Sequence, residues 1–236
     1  MIYAANPLPG VLVRKVNRFL AHVTLNGKTV SAHIPNSGRL TELMAPGGKV
    51  ILEPATNPER KTAYTLKSVW YAGRWVCVDS TIPNALAERL ALEWGLPVFH
   101  GYNTARRETT IGHHRFDLRL DGPRMRPMIV EVKSVTLVKD HVALFPDAPT
   151  QRGASHLRSL AAMKGEYERM VLFTIQRSDA RLFRPNINTD PDFAEALVYA
   201  AKAGVHICAV KCSVGKSSIR VTGPVEIDLG RAPAQA

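Results

Sequence analysis

Residues 115–133 run Arg-Phe-Asp-Leu-Arg-Leu, then Asp-Gly-Pro-Arg-Met-Arg-Pro, then Met-Ile-Val-Glu-Val-Lys. Two apolar-alternating runs around a Gly/Pro loop predict a β-hairpin. Side chains at i and i+2 share a strand face. Glu131 and Lys133 therefore project together, with Val130 and Val132 on the other face. Asp117 lies near the start of the first strand, opposite in direction to Leu118 and Leu120. Pairing of the two strands brings Asp117 near Glu131. Such a set suits a hard divalent ion, which takes one or two carboxylates plus waters and substrate phosphate. A cation there activates water and stabilises a phosphate under attack. Lys133 is placed to orient that water or to stabilise developing negative charge. Alone, a short D…ExK pattern more often marks a solvated strand face with one Glu–Lys pair.

The chain downstream predicts a layered α/β unit. Ser134–Val142 alternates polar with apolar residues, and Phe145-Pro146-Asp147-Ala148-Pro149-Thr150 reads as a rigid loop. Thr150 or Gln151 then opens a helix carrying Arg152, His156, Leu157, Leu160 and Met163. Arg152 and His156 are four apart and share a face. Met170–Gln176 is an apolar run of the kind buried on both sheet faces. Asp192–Ala203 is amphipathic and stops at Gly204, and Val205–Val210 is a further buried strand. Helix–strand alternation of this kind implies an α/β core. Pro224–Ala236 reads as a poorly packed tail. Upstream of the hairpin, Pro83-Asn84-Ala85 starts a helix with Leu86, Leu90 and Leu92, ending at Gly95. Thr104–Thr110 reads as a strand exposing Arg106 and Arg107. His113 and His114 diverge on a strand, which favours a surface turn over a metal pair.

The first eighty residues have a different character. After a Pro/Gly-punctuated lead-in (1–10), short strands are expected at Val11–Val16, Phe19–Leu25, Thr29–His33, Lys49–Glu53, Tyr64–Tyr71 and Trp75–Asp79. Asn26-Gly27 is a strong hairpin turn, and Arg39–Met44 suits a single helical turn. Short strands without a long helix predict a small barrel, with an OB-fold the first expectation. The expected organisation is thus an OB-like nucleic-acid-binding domain over 1–80 and an α/β domain over 81–236.

Composition narrows the partners. The 236 residues carry a net charge of +11, which favours a polyanion such as nucleic acid. Residues 1–80 hold ten Lys/Arg against four Asp/Glu, a net +6. Among them are Arg18, Arg39, Arg60 and Lys61, interleaved with Phe19, Tyr64, Trp70, Tyr71 and Trp75, the mix found in single-strand binders. Phe19 and Trp75 lie inside apolar runs and read as core; Tyr64 suits core and stacking equally. His33-Ile34-Pro35-Asn36-Ser37-Gly38-Arg39 reads either as a capped turn or as a phosphate-contacting loop. Cys77, Cys208 and Cys212 have no zinc spacing, which fits a reduced compartment. No signal peptide or membrane span is expected, and the expected location is cytoplasmic. Nothing decides between monomer and homodimer.

D-x₁₃-E-V-K on a hairpin resembles the metal site of the PD-(D/E)xK nuclease superfamily. The segments 32–40, 57–61, 131–137 and 145–153 resemble the sugar fermentation stimulation protein A (SfsA) family, and the match runs from about residue 11 to about 210. The resemblance implies an OB-fold followed by a restriction-endonuclease-like domain with a mixed central sheet. It implies Asp117, Glu131 and Lys133 as catalytic residues, with Mg²⁺ or Mn²⁺ held by Asp117, Glu131 and a main-chain carbonyl such as that of Val132. A first-helix carboxylate often joins such sites, which points to Glu88; a solvated Glu88 beside Arg89 fits the residues as well. The same likeness moves His33, Asn36, Ser37 and Arg39 toward DNA contact and makes Arg152 and His156 phosphate contacts. The family usually has Cys where this chain has Ile34, so no reactive thiol is expected there. The implied activity is DNA hydrolysis, with single- or double-stranded DNA undecided. The family's name implies the alternative, a non-catalytic DNA-binding regulator linked to sugar (maltose) metabolism. A sugar-binding role has no dense aromatic and Asn/Asp cluster behind it.

Overall fold

The computed structural model describes residues 1–57, 59–163 and 165–230. Five strands close a barrel: β1 (Leu8–Asn17), β2 (Leu20–Leu25), β3 (Lys28–His33), β4 (Lys49–Pro54) and β5 (Tyr64–Tyr71). Their order is β3-β2-β1-β4-β5, and a parallel β3–β5 pairing at Ala32↔Tyr64 and His33↔Thr65 seals it. This is the expected OB arrangement. β6 (Arg74–Cys77) adds to β5 through a tight turn in which Ala72 and Gly73 both take positive φ, 45° and 81°. Asn26 and Gly27 do the same at 49° and 77°, the geometry that follows the right-handed twist of a hairpin. Inward residues such as Leu12, Val23, Ala32, Val50 and Leu66 fill the barrel.

The second sheet has the order β15-β14-β12-β9-β8-β7. Its strands are β7 (Thr104–Ile111), β8 (His114–Asp121), β9 (Met128–Val135), β12 (Glu168–Ile175), β14 (His206–Val214) and β15 (Ile219–Pro224). β9, β12 and β14 are parallel; β7–β8–β9 and β14–β15 are antiparallel. The sheet is therefore mixed, as expected. α1 (Ile82–Arg89) covers one face, packing Ala87 against Leu118, Val130 and Leu172. α2 (Gln151–Ala162) and α3 (Pro191–Lys202) cover the other, where Leu157, Leu160, Phe193 and Leu197 meet Ile129, Val171 and Phe173. Burying one such side chain is worth about 1.5–3 kcal/mol, so these two faces fix β9 between two apolar layers. Thr150 caps α2 by accepting from the Gly153 N–H at 3.1 Å, and Asp190 caps α3.

Several expectations need correction. A third sheet, β10 (Val138–Lys139), β11 (Val142–Phe145), β13 (Leu182–Pro185) and β16 (Glu226–Ile227), flanks the second domain. Because β16 pairs with β13 and Val225 is buried, the chain after Pro224 is packed as far as Leu229 rather than a loose tail; residues 231–236 lie outside the described ones. The lead-in also divides. Ile2 bridges Ser218, and Tyr3 and Ala4 join a core cluster with Cys77, Leu86, Cys212 and Ile219, so the first four residues clasp the far edge of the second sheet. Phe19 is not core: it sits in the two-residue β1–β2 turn and is 49 % exposed. Leu92, expected on an apolar face, is exposed in the π-helical turn that continues α1. Cys77, Cys208 and Cys212 are free, and burial pushes the Cys212 thiol up to about 12.

Candidate functional site

The β8–β9 ladder runs Leu120↔Met128, Arg119↔Ile129, Leu118↔Val130, and then stops. One residue on, where Asp117 would face Glu131, the strands part. Asp117 is also skipped in the β7–β8 ladder, between Arg107↔Leu118 and Thr109↔Phe116, opposite Glu108 with its φ of 55°. The alternation of β8 breaks here: Phe116 packs on the α2 side, while Leu118 and Leu120 pack on the α1 side. Asp117 Oδ2 accepts the Val132 N–H at 2.7 Å, so a carboxylate satisfies a main-chain donor that the ended ladder leaves open. Its Oδ1 accepts from Asn84 Nδ2, on α1, at 2.9 Å.

Glu131 is 3 % exposed. Its Oε1 accepts from Lys133 Nζ at 2.5 Å and from His156 Nδ1 at 2.7 Å. Its Oε2 is buried with no hydrogen-bond partner. An orphaned buried carboxylate oxygen costs on the order of 1–3 kcal/mol or more. His156 comes from α2, with its ring edge-on to His114 at 5.2 Å and tilted against Phe116 at 5.4 Å. With Nδ1–H given to Glu131, Nε2 is the acceptor toward Arg152 Nε at 3.4 Å. Arg152 itself is exposed at the rim.

The two carboxyls are driven apart. Burial raises the Asp117 carboxyl above the ordinary aspartate range, and the Glu131 charge adds to this. Burial raises Glu131 too, but Lys133 and His156 together outweigh it and hold that carboxyl below the usual glutamate range. Opposite shifts in neighbouring groups are a mark of functional sites.

The residues fit a divalent cation. Two carboxylates repel across the gap, and one of them points an unpaired oxygen into a buried space. Among the described residues no group of three or more His, Cys, Asp and Glu is assembled for a metal. A cation here would thus rely on two carboxylates, a main-chain oxygen and water, a set Mg²⁺ accepts.

The remaining expected residues scatter around this centre. Glu88 lies on α1 but is ion-paired with Arg107 of β7; no hydrogen bond joins it to Asp117, whose partners are Val132 and Asn84. Asn36 is consumed inside the fold: Nδ2 donates to the Val78 carbonyl and Oδ1 accepts the Gly38 N–H, the capped-turn arrangement. Ser37 and Arg39 remain exposed on that loop, as does Arg18 on the β1–β2 turn. Tyr64 packs partly against the barrel core. His33, Arg60 and Lys61 gather around a cleft of about 610 Å³ beside the barrel. Three contributors escaped the sequence: Asn84, His114 and Asp147. The first two had only their helix and turn positions to mark them. Asp147 Oδ2 accepts the Leu40 N–H at 3.2 Å and lies 2.6 Å from where a Gly38 Cβ would sit. Gly38→Ala therefore displaces Asp147 and breaks that bond. Its expected cost is about 1–3 kcal/mol, measured by urea denaturation; no change in the midpoint would contradict this contact.

Comparison with known proteins agrees with the fold. The family model described as the Sugar fermentation stimulation protein RE domain matches residues 81–218. The SfsA N-terminal OB domain model matches residues 13–78. The chain belongs to the SfsA family. Relatives named sugar fermentation stimulation protein homolog include one from Clostridium kluyveri, 38 % identical over 97 % of this chain and the whole of that protein. Another, from Carboxydothermus hydrogenoformans, is 42 % identical with the same coverage. The solved structure of Pyrococcus furiosus SfsA in complex with Ca²⁺ superposes with a TM-score of 0.90 at 28 % identity, covering 97 % of this chain and 98 % of that one. Among the described residues no helix is long and apolar enough to cross a membrane.

Proposed function

We propose that this SfsA-family chain is a divalent-metal-dependent nuclease that binds DNA along its basic barrel and hydrolyses phosphodiesters at the β8–β9 gap. The observation that carries the reading is the convergence of Asp117 with Glu131, whose Oε2 is buried and unpartnered. Asp117, Glu131 and the Val132 carbonyl would hold Mg²⁺ or Mn²⁺, which supplies charge to stabilise the attacked phosphate and to acidify water. A relative solved in complex with Ca²⁺ supports a cation in this family. Lys133 Nζ, 2.5 Å from Glu131, is positioned to orient the attacking water and offset developing negative charge. Arg152 at the rim contacts a phosphate of the bound strand, and His156 holds Glu131 in place. Glu88 has no role in this scheme beyond its pair with Arg107. DNA binding draws on the charge of +11.

The test is incubation of the purified protein with single- and double-stranded DNA and Mg²⁺ or Mn²⁺. The wild type should cut and Asp117→Ala should not; equal cutting by both, or none by the wild type, rejects the nuclease. Binding without cutting would leave the regulator suggested by the relatives' name. In either reading affinity falls steeply with salt, and Arg152→Ala should lower the log–log slope by about 0.9, one phosphate contact. An unchanged slope in a fluorescence-anisotropy salt titration removes Arg152 from the interface.

A further inference from the structure

The cleft beside the barrel is walled by the ends of β3 and β5, residues 60–62 and the start of α1. Its floor is Lys67, buried and bonded to Asp79 Oδ2 at 2.5 Å, with Glu53 at 3.5 Å. Asp79 is buried, while Glu53 is partly exposed and lines the cleft with it. Asp79 Oδ1 accepts the N–H and hydroxyl of Thr81, and Glu53 Oε1 accepts the Ala5 N–H. The floor is therefore an internally satisfied ion cluster. The exposed charges at the opening are Arg60 and Lys61, with His33 and the part-exposed, Lys67-paired Glu53 beside them. Arg60 is steadied by donating from Nη1 to Thr65 Oγ1 at 3.1 Å, which pre-orders its guanidinium and leaves other N–H groups for a ligand.

The cleft's position gives it meaning. Its wall residue Thr81 precedes α1, and Asn84, three residues on, holds Asp117. Three residues of helix rise about 4.5 Å. Phosphates follow one another about every 3.4 Å of duplex axis on one strand, so the cleft's α1 wall and the residue that holds Asp117 are offset along the helix by little more than one phosphate step. At about 610 Å³ the space has the dimensions of a small-ligand site.

We propose that this cleft is a nucleotide subsite: Arg60 and Lys61 hold the phosphate of a nucleotide a short step along the strand from Asp117. The proposal rests on the nuclease reading for its place in the reaction, but its binding test does not. Full-length Asp117→Asn protein, without metal, is titrated calorimetrically with thymidine 5′-monophosphate and with thymidine. The monophosphate should bind about tenfold or more tightly than the nucleoside, as expected for charge-assisted contacts to a phosphate. Adding Arg60→Ala and Lys61→Ala, two exposed positions, should weaken it by a similar factor with circular dichroism unchanged. A hexathymidylate with and without a 5′-phosphate identifies the source: tighter binding of the phosphorylated strand assigns a strand end, equal binding an internal phosphate. Monophosphate affinity indifferent to the Arg60 and Lys61 changes, or matched by thymidine, overturns the proposal. Wild type that never cuts DNA while nucleotide binding depends on the cleft removes the nuclease reading and keeps the subsite; cutting with a nucleotide-indifferent cleft does the reverse.

Discussion

Asp117→Asn is expected to abolish metal-dependent cleavage by about a thousandfold or more while making the metal-free protein more stable. The two effects share one cause. In the metal-free protein Asp117 lies partly buried within the electrostatic reach of Glu131, and burial followed by that neighbouring charge raises its carboxyl above the ordinary value. A raised acid means the folded state binds its proton more tightly than the unfolded state. Stability is then lost as pH rises from the ordinary aspartate value of 3.8 through the raised one, and the loss persists at neutral pH. Asparagine removes the charge and keeps the shape. Its oxygen still accepts the Val132 N–H, and its amide donates to a reoriented Asn84. A gain of about 1 kcal/mol is expected at pH 7, in the pattern of sites that trade stability for function. Glu131→Gln should lose activity equally but fall in stability by about 3 kcal/mol, because it strips Lys133 and His156 of their buried anion. Thermal melts of the two variants at pH 7 should move in opposite directions. A loss of stability in Asp117→Asn would mean that the carboxylate is structural.

Arg177→Ala should be the most destabilising change outside the centre, at about 3–5 kcal/mol. Arg177 is 2 % exposed. It donates to both oxygens of Asp179 at 2.7 Å, to the Thr136 carbonyl at 3.3 Å, and lies 5.3 Å over the Tyr71 ring of the barrel. Asp179 also pairs with Arg74 at 2.8 Å, so one buried guanidinium ties β5, β6 and the end of β12 together. Burial raises the Asp179 carboxyl, but Arg177 outweighs it and holds it below the ordinary range. A depressed acid contributes stability above the ordinary value of 3.8 that is lost as pH falls through the lowered one. The variant should therefore lose part of the wild type's acid sensitivity along with its midpoint in denaturant. A midpoint within about 0.5 kcal/mol of wild type, the range of an ordinary surface change, would show that the junction does not depend on this residue.

Much of this was legible from residue spacing. The period-two pattern placed Glu131 and Lys133 on one face, and the hairpin signal set Asp117 close to them. The i,i+4 relation joined Arg152 to His156. What spacing cannot carry is where a ladder stops. The gap at Asp117 arises because β8 breaks its alternation between Phe116 and Leu118, a change invisible in a run that still reads apolar-polar-apolar. Asn84 and Asp147 were missed because each reaches a partner in another element, by 33 residues to Asp117 and 107 to Leu40. The two-residue strands β10 and β16 are too short to show a period at all. Phe19 misled because apolar neighbours suggest core, whereas a two-residue turn has no interior.

The central claim is that Asp117 and Glu131 jointly hold one divalent cation. Crystals soaked in Mn²⁺ and measured for anomalous scattering test it directly. The expected map has a single peak about 2.1 Å from a carboxylate oxygen of each residue, with Glu131 Oε2 one of the two. A map with no peak between them, or with the cation held by other residues while Glu131 Oε2 stays unpaired, would contradict it.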